Sequence, residues 1–241
     1  MIQIKLNAID STNTFLKANK TISELPNYTV VTAEFQTNGR GQHGAKWESE
    51  PGKNLIVSIL VHDFYPNNFP DFELIIAVSV AIQQVLNTLD VPELAIKWPN
   101  DIMSGKYKIG GILIENLHKS NSAVHTIIGF GLNVNQLHFD GFPSASSLAL
   151  VCKREFDRQL LLEQLVDSVQ FTLSNWETHR VDAINTYQTS LFCKGKIATF
   201  KTSTGSFEGR IVGVNEQGKL VVQQNNQVEL AYDLKEIQLI Y

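Results

Sequence analysis

The stretch Glu34-Phe35-Gln36-Thr37-Asn38-Gly39-Arg40-Gly41-Gln42-His43-Gly44-Ala45-Lys46-Trp47 governs how the rest of the chain is read. Apolar, β-branched runs flank it, residues 28–36 before and 54–61 after, so the unit is strand, glycine-rich loop, strand. Gly39, Gly41 and Gly44 open backbone conformations barred to other residues and let the main chain approach a ligand closely. Arg40, His43 and Lys46 lie among them, and interleaved cationic and amide donors suit an anion such as a phosphate. The same composition makes an ordinary solvated connection, and the loop alone does not separate the two.

Towards the N-terminus, residues 2–6 alternate as a short strand does, and Asp10-Ser11-Thr12-Asn13 follows. Asp10 or Ser11 caps a short helix beginning near Thr12, and polar groups at a helix start also suit a polar ligand. Towards the C-terminus, residues 72–89 set Leu74, Ile75, Val78, Ile82, Val85 and Leu86 at helical spacing, which is core packing. Residues 94–98 form a strand stopped by Pro99, leaving Asn100-Asp101 at its end, where a sheet presents functional side chains. Lys106 and Lys108 precede a strand over 109–115 entered through Gly110 and Gly111. In the next, 126–135, Gly129 and Gly131 clear one face for a ligand or a close neighbour. Residues 136–147 read as a loop, 156–176 as one long amphipathic helix, and 182–190 as a further helix. From Leu191 the character changes to five short β runs, 197–201, 207–214, 220–223, 228–231 and 237–241, at hairpin spacing. That is a small β-barrel pattern. The expected organisation is an α+β domain over 1–190 and a barrel over 191–241 packed against it.

At 241 residues, 43% hydrophobic and 18% charged, the chain is globular and long enough to bury a sizeable core. A net charge of −4 gives no global basic field, so no nucleic-acid partner is expected. Cys152 and Cys193 stand far apart without metal-ligand companions, which argues against a disulfide framework and a zinc site. No apolar run reaches membrane-spanning length and no secretory signal is apparent, so no membrane partner and a cytoplasmic location are expected. G-x-x-x-x-G-K-[ST] does not occur, and Gly39-Arg40-Gly41-Gln42-His43-Gly44, though spaced as G-x-G-x-x-G, lies between two strands and does not open a helix, which leaves standard P-loop and dinucleotide readings without support. Several glycine-adjacent polar clusters nevertheless fall at strand ends, which points to one small-molecule or nucleotide pocket with phosphate-type donors and apolar walls.

Five segments carry a resemblance: Asp10-Ser11-Thr12-Asn13; Gln36 with Gly39-Arg40-Gly41 and Trp47; Lys97-Trp98-Pro99-Asn100-Asp101; Lys108-Ile109-Gly110-Gly111-Ile112-Leu113-Ile114-Glu115; and Gly129-Phe130-Gly131-Leu132-Asn133-Val134-Asn135. In this order they resemble the motifs of biotin protein ligases, and the C-terminal segment resembles that family's small SH3-like β-barrel. The resemblance covers essentially the whole chain and begins at the catalytic domain, so it implies the monofunctional class without a DNA-binding domain. It implies a mixed or antiparallel sheet flanked by helices. It also implies activation of biotin by ATP, with Mg2+ accompanying the nucleotide, to biotinyl-5′-AMP. Transfer to one lysine of a biotin carboxyl carrier domain would follow, in a monomer or homodimer.

By the same resemblance, catalysis falls to Lys108, Arg40 and Asp101, the last also a candidate to orient or deprotonate the acceptor lysine. Biotin binding falls to Ser11, Thr12, Asn13, Gln36, Gly39, Arg40, Gly41, Lys108 and Gly111. Nucleotide binding falls to Arg40, Gln42, Trp47, Lys97, Asn100, Asp101 and Asn133, with packing under the loop an alternative role for Trp47; no protein metal site is implied. The assignment has physical sense, because a carboxylate and an α-phosphate repel and need fixed positive charge between them. The loop departs from the family's G-R-G-R-x-G-R-x-W pattern, since Gln42 and Ala45 stand where arginines are usual. His43 and Lys46 are candidates to compensate, and segments 38–53 and 136–147 are expected to close over ligand. Two other functions compete: a lipoate–protein ligase or lipoyl transferase on a similar core, and a non-catalytic SH3-like binding protein. The glycine loop and five-strand segment favour biotin, and the lack of an aromatic cluster for polyproline ligands disfavours the adaptor.

Overall fold

The computed structural model describes residues 2–19, 21–62, 71–118, 124–225 and 227–241. In chain order they form β1 (Gln3–Ile9), α1 (Thr12–Ala18), β2 (Thr29–Gln36), β3 (Leu55–His62), α2 (Asp71–Thr88), β4 (Leu94–Lys97), β5 (Asp101–Ser104), β6 (Tyr107–His118) and β7 (Val124–Leu132). Then come α3 (Leu148–Cys152), α4 (Arg158–Ser174), α5 (Trp176–Thr189), β8 (Ile197–Thr202), β9 (Gly205–Val214), β10 (Leu220–Gln224), β11 (Glu229–Tyr232) and β12 (Gln238–Ile240). The first seven strands make one sheet in the order β1-β2-β3-β7-β6-β5-β4. β1 and β2 pair in parallel and the other neighbours antiparallel, so this sheet is mixed. The five C-terminal strands make the small SH3-like unit, an antiparallel sheet in the order β11-β10-β9-β8-β12.

The large sheet is covered on both faces, and adjacent residues divide between them as the strand repeat requires. Val30, Ile59 and Ile128 enter the main core with α2, α4 and α5, while Val31, Leu60 and Ile127 pack with Leu16 of α1 and Ile22. β3 is therefore buried on both sides, which is why it reads as an apolar run broken only by Ser58 and not as an alternating one.

Local chemistry sets the element ends. Ser11, not Asp10, caps α1 by accepting the Thr14 N–H, while Asp10 accepts the N–H of Ser11 at 2.7 Å. The helix expected over 156–176 is α4, which ends at Ser174 because Asn175 leaves helical geometry at φ −116° and ψ 22°. Its carbonyl accepts from Thr178 and His179, both at 3.1 Å, and restarts the chain as α5, well before the expected 182. The strand expected before Pro99 is β4, and an unexpected one, β5, follows it, four residues long and bracketed by turn formers; Gly105, at φ +54°, turns it back into β6. α3, capped by Ser147, was also missed.

The C-terminal sheet is fastened to the first. Ile96 N–H donates to Ser190 and Phe192 N–H to Ile96, both at 2.9 Å, so the connecting chain adds itself to the outer side of β4. Trp98 Nε1 donates to the Gly218 carbonyl at 2.9 Å, and the Gln188 side chain bonds both the N–H and the carbonyl of Val214. Among the described residues no helix is long and apolar enough to cross a membrane.

Candidate active site

A cavity of about 330 Å3 gathers most of the polar residues singled out from the sequence. At one end the parallel pairing of β1 and β2 sets Ile9 beside Gln36, so α1, which starts three residues later, opens next to that amide. Ser11, Thr12, Asn13 and Gln36 are all buried there. Gln36 Oε1 accepts the Thr12 backbone N–H at 2.8 Å and lies 3.2 Å from the Thr12 hydroxyl. Asn13 and Trp47 occupy the space that the alternating glycines of β7 leave. A Cβ on Gly129 would fall 2.4 Å from Asn13 Oδ1, and one on Gly131 would fall 2.4 Å from the Trp47 ring. The close neighbours expected along this strand are these two side chains.

At the other end the β5–β6 pairing places Asp101 opposite Gly111 and Met103 opposite Lys108, with Ile109 the extra residue of the bulge between them. Lys108 Nζ lies 2.6 Å from Asp101 Oδ1. Both groups lie over Gly111, where a Cβ would come within 3.3 Å of Lys108 Nζ and 3.6 Å of Asp101 Oδ1. The lysine is 36% exposed, so an incoming anion competes with the carboxylate at little cost. Trp47 flanks it, its ring centroid 5.9 Å from Nζ. Loop 39–47 closes on itself through a bridge between Arg40 and Lys46. Among the described residues the exposed Arg40 guanidinium has no ion pair or hydrogen-bond partner, while Trp47 Nε1 and Gln42 Oε1 are buried without one. These are open donors and an acceptor in a loop rich in main-chain amides.

Gly41, Lys97 and Asn100 also line the cavity. Asn100 commits its amide nitrogen to the Ile112 carbonyl, and Lys97 reaches the Tyr241 hydroxyl at 3.3 Å and stands over that ring. Gly39 and Asn133 are not part of the lining. A side chain on Gly39 would strike the Trp47 carbonyl at 2.3 Å, and Asn133 turns its amide nitrogen to the Ser146 carbonyl at 3.0 Å. Lys46 lines the cavity; the side chain of His43, the other candidate to compensate for missing arginines, is outside the described part.

Sequence reasoning expected apolar walls without naming their residues. Ile56, Ile112 and Phe130 come from the strands of the large sheet, and Leu191, Leu220 and Ile237 come from the C-terminal segment. It missed Tyr187 of α5, which is fully buried and donates its hydroxyl to the Pro99 carbonyl at 2.8 Å, bracing the turn before Asn100 and Asp101. Burial, with a further contribution from the Asp101 charge, pushes the Tyr187 hydroxyl well above its usual range. No group of three or more His, Cys, Asp or Glu side chains among the described residues is placed to hold a metal. The cavity thus joins a buried amide-and-hydroxyl end to a cationic end whose lysine is paired with the Asp101 carboxylate. That layout suits a ligand with a polar neutral head and an anionic tail.

Residues 6–133 match the biotin/lipoate A/B protein ligase family, and residues 195–240 match the biotin protein ligase C terminal domain. The bifunctional ligase/repressor BirA of Bacillus subtilis is 29% identical over 214 residues, 86% of this chain and 65% of that protein, so this chain spans less than two thirds of its length. The biotin–[acetyl-CoA-carboxylase] ligase of Mycobacterium tuberculosis is 30% identical over 151 residues, 61% of this chain and 54% of that protein. The structure of a biotin protein ligase from Aquifex aeolicus in complex with biotin and ATP superimposes with a TM-score of 0.81 at 24% identity, covering 99% of this chain and 98% of that one.

Proposed function

The chain belongs to the biotin/lipoate A/B protein ligase family, and from that premise we propose that it activates biotin with ATP and transfers it to a lysine of a biotin carboxyl carrier domain. The observation that supports this most directly is the cavity's polarity. The Thr12–Gln36 end offers hydrogen bonds to an uncharged ring head, and the Lys108–Arg40 end offers cations to two anions that must meet. The match of residues 195–240 to a biotin protein ligase domain favours biotin over lipoate.

In the first half-reaction the biotin carboxylate oxygen attacks the α-phosphorus of ATP and pyrophosphate leaves, giving biotinyl-5′-AMP. Lys108 releases Asp101 to neutralise the carboxylate and phosphate as they approach, and the planar fork of Arg40 takes phosphate oxygens. Magnesium enters with the nucleotide as part of that substrate. In the second half-reaction a neutral lysine amine attacks the acyl carbon, an amide bond forms, and AMP leaves. Asp101, freed from Lys108, is the nearby carboxylate to orient that amine and take its proton. Ser11, Asn13 and Gly111 shape the biotin site. Gln42, Trp47, Lys97 and Asn100 border the nucleotide, with Gly39 and Asn133 acting from behind the lining.

Incubation with ATP, magnesium and biotin, followed by mass measurement, should show biotinyl-AMP and pyrophosphate, and a carrier domain should then gain one biotin. Lys108→Ala should lower kcat/KM by about 10²–10³-fold, the scale for loss of one charge-stabilising donor. Adenylation of lipoate in preference to biotin would reassign the acid, and no adenylate with either would point to a binding protein. A fully active Lys108→Ala enzyme would remove that lysine from the mechanism.

A further inference from the structure

Behind the Thr12–Gln36 end stands a second layer of polar side chains, which ends at a carboxylate that the reaction as described does not use. Glu115, on β6, pairs through one oxygen with Lys17 of α1. Its other oxygen accepts from Asn13 Nδ2 at 2.8 Å, and the Leu113 carbonyl lies 3.3 Å from the same nitrogen. Both neighbours only accept, so they fix which way the Asn13 amide faces. Asn13 Oδ1 is thereby turned to Ser58, whose Oγ is 2.5 Å away and fully buried on β3. An amide oxygen carries no hydrogen, so the single Ser58 hydroxyl hydrogen fills that contact. Ser58 Oγ is then left to accept from Thr12, whose Oγ1 lies 2.7 Å off. The competing partner for the Thr12 hydrogen, Gln36 Oε1, is farther at 3.2 Å and already takes the Thr12 N–H.

The chain of contacts therefore has a direction. It starts at the carboxylate held by Lys17, passes through Asn13 and Ser58, and draws the Thr12 hydrogen away from the cavity, leaving the lone pairs of Oγ1 to face whatever enters. We propose that Glu115 and Ser58 are positioning residues that set Thr12 as a hydrogen-bond acceptor, so that this end of the cavity selects a ring N–H donor of the kind a cyclic urea carries. The inference rests on the biotin reading and adds to it the residues that fix the polarity of its head site. Neither Glu115 nor Ser58 lines the cavity, so each acts only through its neighbours.

The test uses the full chain and its Ser58→Ala, Glu115→Ala and Glu115→Gln variants. Binding is measured by calorimetry and turnover by steady-state kinetics, with biotin and with a biotin methylated on its ureido nitrogens. Ser58→Ala and Glu115→Ala should raise both Kd and KM for biotin about tenfold, the scale of one buried hydrogen bond. kcat at saturating biotin and KM for ATP should stay within about twofold, because the affected end is remote from the reacting carboxylate. Glu115→Gln, whose amide oxygen still accepts from Asn13, should rescue most of the loss, and methylation should cost the wild type more than it costs Ser58→Ala. Unchanged KM for biotin in the alanine variants would overturn the proposal. So would a fall in kcat together with a rise in both KM values, a glutamine variant as damaged as the alanine one, or equal methylation penalties. A wild-type chain that binds no biotin would instead overturn the ligase reading beneath it.

Discussion

At position 42 the loop has given up a cation and kept a buried polar atom. Gln42 lines the cavity with Oε1 buried and unpartnered, and Ala45, where a second arginine is usual, offers nothing to a phosphate. Arg40 and Lys46 are the cationic side chains of this loop that the structure places at the cavity. Gln42→Arg should therefore hold the adenylate more tightly by about 1–3 kcal/mol, the worth of one charged hydrogen bond. Release of labelled biotinyl-AMP after gel filtration reads this directly, and unchanged or faster leakage would show that the arginine deficit does not matter. Tyr187 makes a second residue-level expectation. Its folded pKa lies above that of the unfolded chain, near 10, so the native state favours the neutral phenol. Its contribution is complete below about pH 10 and is lost as pH rises above it, by up to roughly 1.4 kcal/mol per pH unit. Tyr187→Phe should cost about 1 kcal/mol at neutral pH, where the bond to Pro99 is lost. The difference in urea-unfolding free energy between wild type and variant should then shrink and reverse between pH 10 and 11. A difference independent of pH would show that the hydroxyl is not held neutral by its burial.

At the level of elements, β7 works as a socket for parts of the site that come from elsewhere. Its two glycines seat Asn13 from α1 and Trp47 from the loop, so the strand sets where both ends of the cavity stand relative to each other. Gly131→Ala places a methyl group against the indole, and the loop must lift or the strand must shift, at about 1–3 kcal/mol. Lower urea stability together with a red-shifted tryptophan emission is expected, and unchanged emission would mean that Trp47 is not seated there. The spacing of these glycines announced a socket because period two in a strand is a local property. The capped helix at Ser11 and the glycine loop were legible for the same reason. β5 was hidden because four residues between Asn100 and Gly105 look like part of a turn. Ser58 was hidden because it is one polar residue inside an apolar run, and only the fold shows that it meets Thr12 and Asn13. The early start of α5 left a readable mark, the cap-type Asn175 followed by Trp176 and Glu177, but the turns that follow bury few residues and give little amphipathic spacing to read.

Across the whole molecule, the cavity is not the property of one sheet. Leu191, Leu220 and Ile237 complete its apolar wall from the C-terminal unit, and their sequence signal is only that of any small sheet burying one face. Their place over the site follows from the docking, which no local pattern encodes. Its attachments include the added strand contact at Ile96, the Trp98 indole on Gly218, and Gln188 on Val214. Gly218 matters twice, since it sits at φ +79° and Phe72 of α2 fills the space where a Cβ would stand, 2.5 Å from the ring. Any larger residue there strains the turn and wedges the two units apart, at roughly 2–5 kcal/mol for left-handed strain plus overpacking. If the boundary near residue 190 separates two units that share one site, Gly218→Val should do more than lower stability. Calorimetry should show one transition for the wild type and two for the variant, and adenylate retention should fall with it because one wall has withdrawn. A single transition at the wild-type temperature would show that the wedge is absorbed locally. Two transitions with undiminished retention would show that the first sheet holds the intermediate without help from the second.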